Sequence, residues 1–122
     1  MSTLDEIVQQ LRHAARQIRK LESEAKTALY DYQNKDLHYK LMSEKARLLV
    51  GLPDSLDRVT KSLDTKLAQS LKSQIGAFSF SAKKAIKLDS VFYMSALLYP
   101  EDYVDGEVND LENFISQLES IC

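Results

Sequence analysis

The first 50 residues carry apolar side chains at steps that alternate between three and four residues. This spacing is typical of a helix that packs along one narrow stripe of its surface, which we call the seam. Of the 14 seam positions, 13 are apolar and Lys35 is the exception. The pattern predicts one helix over about 3–50. Its seam positions are Leu4, Ile7, Leu11, Ala14, Ile18, Leu21, Ala25, Ala28, Tyr32, Lys35, Tyr39, Met42, Ala46 and Leu49.

The first strong helix-breaking signal is "VGLPD" at 50–54. Gly51 tolerates the left-handed conformation that closes many helices, and Pro53 is favoured near the start of the next one. These residues predict a turn at 51–53.

Two further helical patterns follow this predicted turn. The first covers about 54–99 and ends before Pro100, with a bend expected near Gly76 or at 88–90. The second predicts a short acidic amphipathic helix over about 107–121, which we expect to dock on its own chain.

The lengths of the two long patterns determine the predicted fold. Because they are nearly equal, the sequence predicts a single all-α domain over 1–122, built as a long coiled-coil-like antiparallel hairpin with a short acidic C-terminal helix. The alternative is a compact four- to five-helix bundle, in which the long helices break and fold back. A lone hairpin would leave much apolar surface in water, so we expect a homodimer.

Two polar residues, Lys35 and Asp89, fall at apolar positions of these patterns. A polar residue in a helical interface often fixes the register of the partners. Both are therefore candidates for a register-setting polar core, although the long stem of Lys35 can also carry its charge to water.

Charge is divided unevenly along the chain, which has a net charge of −2. All 16 Lys and Arg lie in residues 1–100, beside 11 acids, whereas residues 101–122 hold 7 acids and no base. A basic stripe on the first helix has two interpretations: neutralisation by the acidic tail, which we favour, or binding of an external polyanion such as a nucleic acid. The stripe consists of Arg12, Arg16, Arg19 and Lys20.

No motif predicts catalytic residues, a metal or a cofactor. The chain has no Gly-rich phosphate loop, no Glu-x-x-His pair and no Gly-x-Ser-x-Gly motif, and it holds two histidines and one cysteine, Cys122. The start "MSTLDEIVQQ" lacks the pattern of a secretory leader, and "VFYMSALLY" at 91–99 is too short for a membrane helix. We therefore expect a cytoplasmic protein without a membrane segment.

The segment "QNKDLH", Gln33 to His38, resembles the Arg-Asn-x-x-x-His motif of the HEPN family of helical RNA-cleaving domains. The segment "YPEDY" at 99–103 is similar to the C-terminal end of that family. The resemblance implies roles in RNA cleavage for Asn34 and His38. Gln33 stands where the family has its arginine, and the motif falls early in the chain, whereas the family carries it in a later helix. The resemblance thus implies a degenerate RNA-cleaving domain.

Aromatic residues concentrate in the second half of the chain, and four of them form a candidate interaction surface: Phe92, Tyr93, Tyr99 and Tyr103. Core packing, a dimer interface and a groove for a partner helix are the alternatives. Together with the absence of catalytic motifs, this predicts a non-enzymatic protein–protein interaction module, such as an adaptor, a chaperone-like subunit or an assembly factor. Its expected partners are a second copy and another protein; an RNA-associated or other polyanion-associated domain is the alternative.

Overall fold

The apolar pattern is distributed over five helices. The computed structural model describes residues 3–121. The helices are α1 (Thr3–Tyr30), α2 (Lys35–Thr60), α3 (Thr65–Lys87), α4 (Val91–Ala96) and α5 (Asp110–Glu119). The all-α prediction is confirmed.

The prediction of one unbroken helix over 3–50 is wrong, because α1 ends in a turn at 31–34. Gln33 adopts a φ of 53°, in the left-handed region. The side chain of Asn34 then accepts a hydrogen bond from the backbone N–H of Leu37 and caps α2. The three-four spacing continues through this turn although the helix does not.

The predicted turn at 51–53 is also wrong, because α2 continues through Gly51 and Pro53. Leu49, Leu52 and Leu56 are all buried on the same side of α2. Proline removes one helical hydrogen bond, and the packing of this apolar face on both sides of Pro53 accounts for the uninterrupted helix.

The second interhelical turn lies at 61–64, where neither glycine nor proline marks it. The hydroxyl of Thr60 donates to the carbonyl oxygens of Leu56 and Asp57 in the last turn of α2. The side chain of Asp64 accepts a hydrogen bond from the N–H of Leu67 and starts α3. Local side-chain hydrogen bonds therefore end one helix and begin the next.

The bend expected at 88–90 is confirmed as a break between α3 and α4, whereas α3 passes through Gly76. Asp89 has a φ of 49°, and the Ser90 side chain caps α4 by accepting a hydrogen bond from the N–H of Tyr93. The acidic helix α5 begins at Asp110, later than predicted.

The long helices alternate in direction and form an antiparallel bundle. α5 runs antiparallel to α1, since Arg19 pairs with Glu112 and Arg12 pairs with Glu119. The rings of Phe78 on α3 and Phe114 on α5 meet edge to face, with centroids 6.1 Å apart. The acidic helix thus docks on its own chain, as predicted, and completes a compact bundle in place of the long hairpin.

Short α4 lies across α2 and α3, and the hydroxyl of Ser43 on α2 lies 3.7 Å from the sulfur of Met94 on α4. The core of the bundle consists of residues with little or no exposed surface, including Ile7, Leu11, Ile18, Ala46, Leu49, Leu56, Leu71, Ile75, Ala82, Met94 and Leu111. Within residues 3–121, no helix has both the length and the apolar character needed to cross a membrane.

Gly51→Ala is expected to raise the free energy of unfolding by about 1 kcal/mol, because alanine favours a helix interior over glycine by that amount. A Cβ at Gly51 would meet nothing within 4 Å. Urea-induced unfolding followed by circular dichroism measures the change. Gly106→Ala is the matched control: its φ of +97° disfavours a side chain, so this variant should lose stability. Destabilisation by Gly51→Ala would contradict a helical Gly51.

Candidate functional site

A fully buried lysine joins three parts of the bundle. Lys45 on α2 has no exposed side-chain surface, and its Nζ lies 2.9 Å from Oε2 of Glu22 on α1. The same Nζ donates a hydrogen bond of 3.0 Å to the carbonyl oxygen of Ser95 in α4. Burial lowers the pKa of Lys45, while the charge of Glu22 and its hydrogen bond oppose this shift. Lys45 therefore ties α1, α2 and α4 together.

Tyr99 lies beside this ion pair, and its ring centroid is 5.1 Å from Lys45 Nζ. Its hydroxyl donates a hydrogen bond of 2.6 Å to Oε1 of Glu22 and accepts one of 3.2 Å from Nη1 of Arg19. Burial is the largest cause that raises the pKa of Tyr99, and the hydrogen bond to Glu22 is the second. The phenol therefore connects the buried pair to a second ion pair at the surface.

That second pair is a two-pronged contact between Arg19 and Glu112. Arg19 Nε lies 3.1 Å from Glu112 Oε2, and Nη2 lies 2.7 Å from Oε1. The carboxylate of Glu112 also accepts from the backbone N–H of Asn109, and Asn109 caps the N–H of Glu112 in return. Hydrogen bonding raises the pKa of Arg19 and lowers that of Glu112. Together, Arg19, Glu22, Lys45, Tyr99 and Glu112 form what we call the polar cluster.

The charged groups of the polar cluster face one another, so the cluster stabilises the packing of the helices. Among residues 3–121, no group of three or more His, Cys, Asp or Glu side chains is placed to hold a metal ion. The sequence analysis missed Lys45 and Glu22, because each lies next to an apolar stripe instead of on it. The Asn109-x-x-Glu112 capping box is readable in the sequence as a helix start.

The basic stripe divides into two pairs of residues. Arg12 pairs with Glu119 and Arg19 with Glu112, which confirms neutralisation by the acidic tail at these two positions. Arg16 and Lys20 are exposed, and within residues 3–121 neither lies in an ion pair like those of Arg12 and Arg19.

Lys35 and Asp89 are not a polar core, so that prediction is wrong. Both side chains are exposed, because Lys35 opens α2 at the end of the bundle and Asp89 lies in the turn between α3 and α4. Asp89 accepts a hydrogen bond from the hydroxyl of Tyr39 and, through this bond, raises the pKa of Tyr39. This bond joins the start of α2 to the turn between α3 and α4.

The segment that resembles the HEPN motif has a local structural role. Gln33 is exposed in the turn, and the Asn34 side-chain oxygen is engaged at the start of α2. His38 is half-buried in the first turn of α2. These positions are accounted for by the ending of α1 and the capping of α2.

The four aromatic residues of the predicted interaction surface separate into two pairs. Phe92 and Tyr93 are exposed, at 73% and 53%, and their ring centroids are 5.6 Å apart. Tyr99 belongs to the polar cluster, and Tyr103 packs edge to face on it with centroids 4.6 Å apart. Tyr103 also donates a hydrogen bond of 2.6 Å to the carbonyl oxygen of Glu107. The rings of the first pair are exposed, whereas Tyr99 and Tyr103 are half-buried.

An open groove of about 480 Å³ lies beside Phe92, between α3, α4 and the chain after α4. The sequence analysis missed its α3 wall, where Phe80, Lys84 and Leu88 follow one another at steps of four residues. Phe80 is 69% exposed and Leu88 56% exposed. We call this the aromatic groove; its lining includes Phe80, Lys84, Ala85, Leu88, Tyr93, Leu97, Leu98 and Tyr99.

More exposed apolar side chains lie at the end of the bundle next to the aromatic groove. The contact between Tyr39 and Asp89 places the start of α2 beside the turn before α4, so the turn after α1 lies at the same end of the bundle. Tyr30 and Tyr32 are more than 70% exposed there, although Tyr32 was predicted at the seam. We call Tyr30, Tyr32, Tyr39, Leu88 and Phe92 the aromatic end.

A second cleft, of about 520 Å³, lies between α1 and α2. Its floor includes Ala14, Leu52 and Leu56, which are already buried, and its rim includes Gln17, Arg47 and other polar side chains. None of the apolar side chains that line this cleft is exposed, whereas Phe80, Leu88 and Tyr93 in the aromatic groove are more than half exposed. The aromatic groove is therefore the stronger candidate binding site.

Comparison of the chain with protein-family models, with curated proteins and with solved structures finds no significant match. The class that the fold defines is a compact all-α bundle.

Lys45→Met is expected to lower the free energy of unfolding by about 3 kcal/mol, because it leaves the Glu22 carboxylate without its buried partner. The double variant Lys45→Met/Glu22→Gln removes both charges and should be more stable than Lys45→Met alone. Denaturant unfolding of the four proteins in this cycle measures the coupling. If the double variant loses as much unfolding free energy as the two single variants together, the pair is not coupled.

Acid is expected to weaken the Arg19–Glu112 contact. The pKa of Glu112 is lowered from its ordinary value of 4.5, so its stabilising effect is present above that value and is lost as pH falls through the lower native pKa. Glu112→Gln keeps a residue suited to the capping box and should flatten the dependence of unfolding free energy on pH below 4.5. Exposed Glu24 supplies the control, because Glu24→Gln should keep the wild-type slope.

Proposed function

We propose that this chain is a non-enzymatic protein–protein interaction module, of the adaptor or assembly-factor kind, which binds a protein partner through the aromatic groove and the aromatic end. The observation that carries the proposal is the exposure of large apolar side chains on adjoining surfaces, while the core of the bundle is otherwise well covered. Monomeric proteins rarely expose continuous apolar patches larger than about 600 Å².

The chemistry of this surface supports binding of a protein. Three tyrosines lie at the aromatic end, and Tyr93 lines the groove. Tyrosine combines a large apolar ring with a hydroxyl that can still bond to a partner or to water. Aromatic residues are enriched in protein interfaces and among the residues that dominate their affinity.

The use of the polar groups supports binding over catalysis. Four side chains with shifted pKa values are engaged within the polar cluster: Arg19 bonds to Glu112 and Tyr99, and Lys45 and Tyr99 bond to Glu22. Catalysis needs a titratable group aimed at a site that a substrate can enter. Two residues with a shifted pKa line the aromatic groove, Tyr99 and Asp110. The hydroxyl of Tyr99 is engaged by Glu22, and burial raises the pKa of Asp110 at the start of α5.

A photo-crosslinking amino acid at position 92, in the full chain expressed in its native cells, is expected to give discrete adducts with protein partners. The same probe at Gln69 is the control, since Gln69 is exposed near the opposite end of α3. Several-fold stronger adducts at 92 than at 69 support the proposal, particularly if Phe80→Ser in the same chain removes them. Equal labelling at the two positions, or none at 92, contradicts it.

A further inference from the structure

An acidic segment emerges from the wall of the aromatic groove. The chain leaves Leu98 and Tyr99, which line the groove, and enters residues 101–108. This segment, which we call the acidic loop, carries Glu101, Asp102, Asp105 and Glu107 and also two exposed valines. Val104 is 62% exposed and Val108 58% exposed.

The acidic loop is held in a defined shape. The backbone N–H of Tyr103 donates to the carbonyl oxygen of Pro100, and that of Glu107 donates to the carbonyl oxygen of Val104. Arg19 Nη2 adds a hydrogen bond of 3.1 Å to the carbonyl oxygen of Glu107. An ordered loop loses little conformational entropy when it binds, so its exposed valines and acids are prepared for a partner.

The α3 side of the aromatic groove has the opposite charge. Lys84 lines the groove, and Lys83 and Lys87 lie in the same last turns of α3. Apolar Phe80 and Leu88 stand on either side of Lys84 along this helix. The groove lining also includes one carboxylate, that of Asp110 at the start of α5, so the basic side of the groove is its α3 wall. That wall offers a lysine and apolar side chains to a segment that offers carboxylates and apolar side chains, which is the composition of the acidic loop.

We infer that the partner in the aromatic groove is a second copy of this chain, with the acidic loop of each copy lying in the aromatic groove of the other. The inference rests on the proposed function and names the partner of that surface. Because groove and loop are adjacent on one chain, a two-fold axis forms both contacts at once. This is the self-complementary arrangement of a two-fold dimer.

Exposed apolar side chains would supply a large part of the area that such a dimer buries. Phe80, Leu88, Phe92, Tyr93, Val104 and Val108 are between 53% and 73% exposed. Their exposed side-chain surface is roughly 600 Å² together. A stable interface buries about 800 Å² on each partner, which is about a tenth of the 7903 Å² of accessible surface. The lysines and carboxylates around these side chains would supply the remainder.

Reversing charge on one side of the contact at a time tests this inference. The double variant Lys84→Glu/Lys87→Glu makes the groove acidic, so acid would face acid in both halves of its dimer. The triple variant Glu101→Lys/Asp102→Lys/Asp105→Lys leaves Glu107 beside three lysines, so the loop becomes basic and base would face base. Each is expected to weaken self-association by about 100-fold, since close charge pairs across an interface contribute more than 1 kcal/mol each.

An equimolar mixture of the two variants is expected to form a one-to-one heterodimer. Each half of the mixed interface then pairs opposite charges again. Analytical ultracentrifugation at up to about 100 µM measures association, and wild-type chain should sediment with twice the 13.9 kDa mass of one copy. Lys66→Glu at the start of α3 is the control and should remain dimeric, and circular dichroism checks that each variant is folded.

Two results would overturn the inference: a wild-type chain that stays monomeric over this range, or folded variants whose mixture stays monomeric. Val104→Ser changes no charge and provides a second test of the dimer. It should weaken self-association while leaving the fold intact. A monomer that still crosslinks to other proteins at position 92 would refute the dimer and leave the proposed interaction module standing. A wild-type dimer without preferential crosslinking to any other protein would limit the module to self-association.

Discussion

The buried ammonium group of Lys45 is the constraint on which the arrangement of this bundle depends. A lysine without exposed surface needs compensating partners, because an unpaired charge in an apolar interior costs several kcal/mol. Its partners come from three places: Glu22 on α1, Ser95 in α4 and the ring of Tyr99 after α4. The contacts of this charge with Ser95 and Tyr99 form only when α4 and the segment after it fold back onto the α1–α2 pair.

The polar cluster also determines where the candidate interaction surface lies. Tyr99 faces Glu22 and Arg19 with its hydroxyl while its ring supports Tyr103. Arg19 reaches onward to Glu112 and to the backbone of Glu107. One connected set of hydrogen bonds therefore fixes the start of α5, the acidic loop and one wall of the aromatic groove. A surface supported in this way can be exposed and still rigid, which lowers the entropic cost of binding.

Periodicity predicted which residues are buried better than it predicted where helices end. Leu4, Ile18, Met42 and Leu49 lie in the core as the seam requires, because each helix buries one apolar stripe whatever its length. The turn at 31–34 preserved the spacing, and its capping residue Asn34 carries no signal strong enough to outweigh an uninterrupted pattern. Gly51 and Pro53 led to the opposite error, because they predicted a turn where the helix continues. Tertiary packing of the leucines around them outweighed their local preference.

The sequence predicted part of the candidate surface, and there is a physical reason why it did not predict the rest. Phe92 and Tyr93 were identified from the concentration of aromatic residues, but composition cannot separate an exposed ring from one that completes a buried cluster, such as Tyr99. That distinction depends on Lys45 and Glu22, which lie far apart in sequence and meet only through the α1–α2 turn. Phe80 and Leu88 were missed for a related reason: they lie on the face of α3 opposite to the one that the core requires. Apolar side chains left outside the stripe that packs the core are therefore the sequence feature that best indicates a surface for a partner.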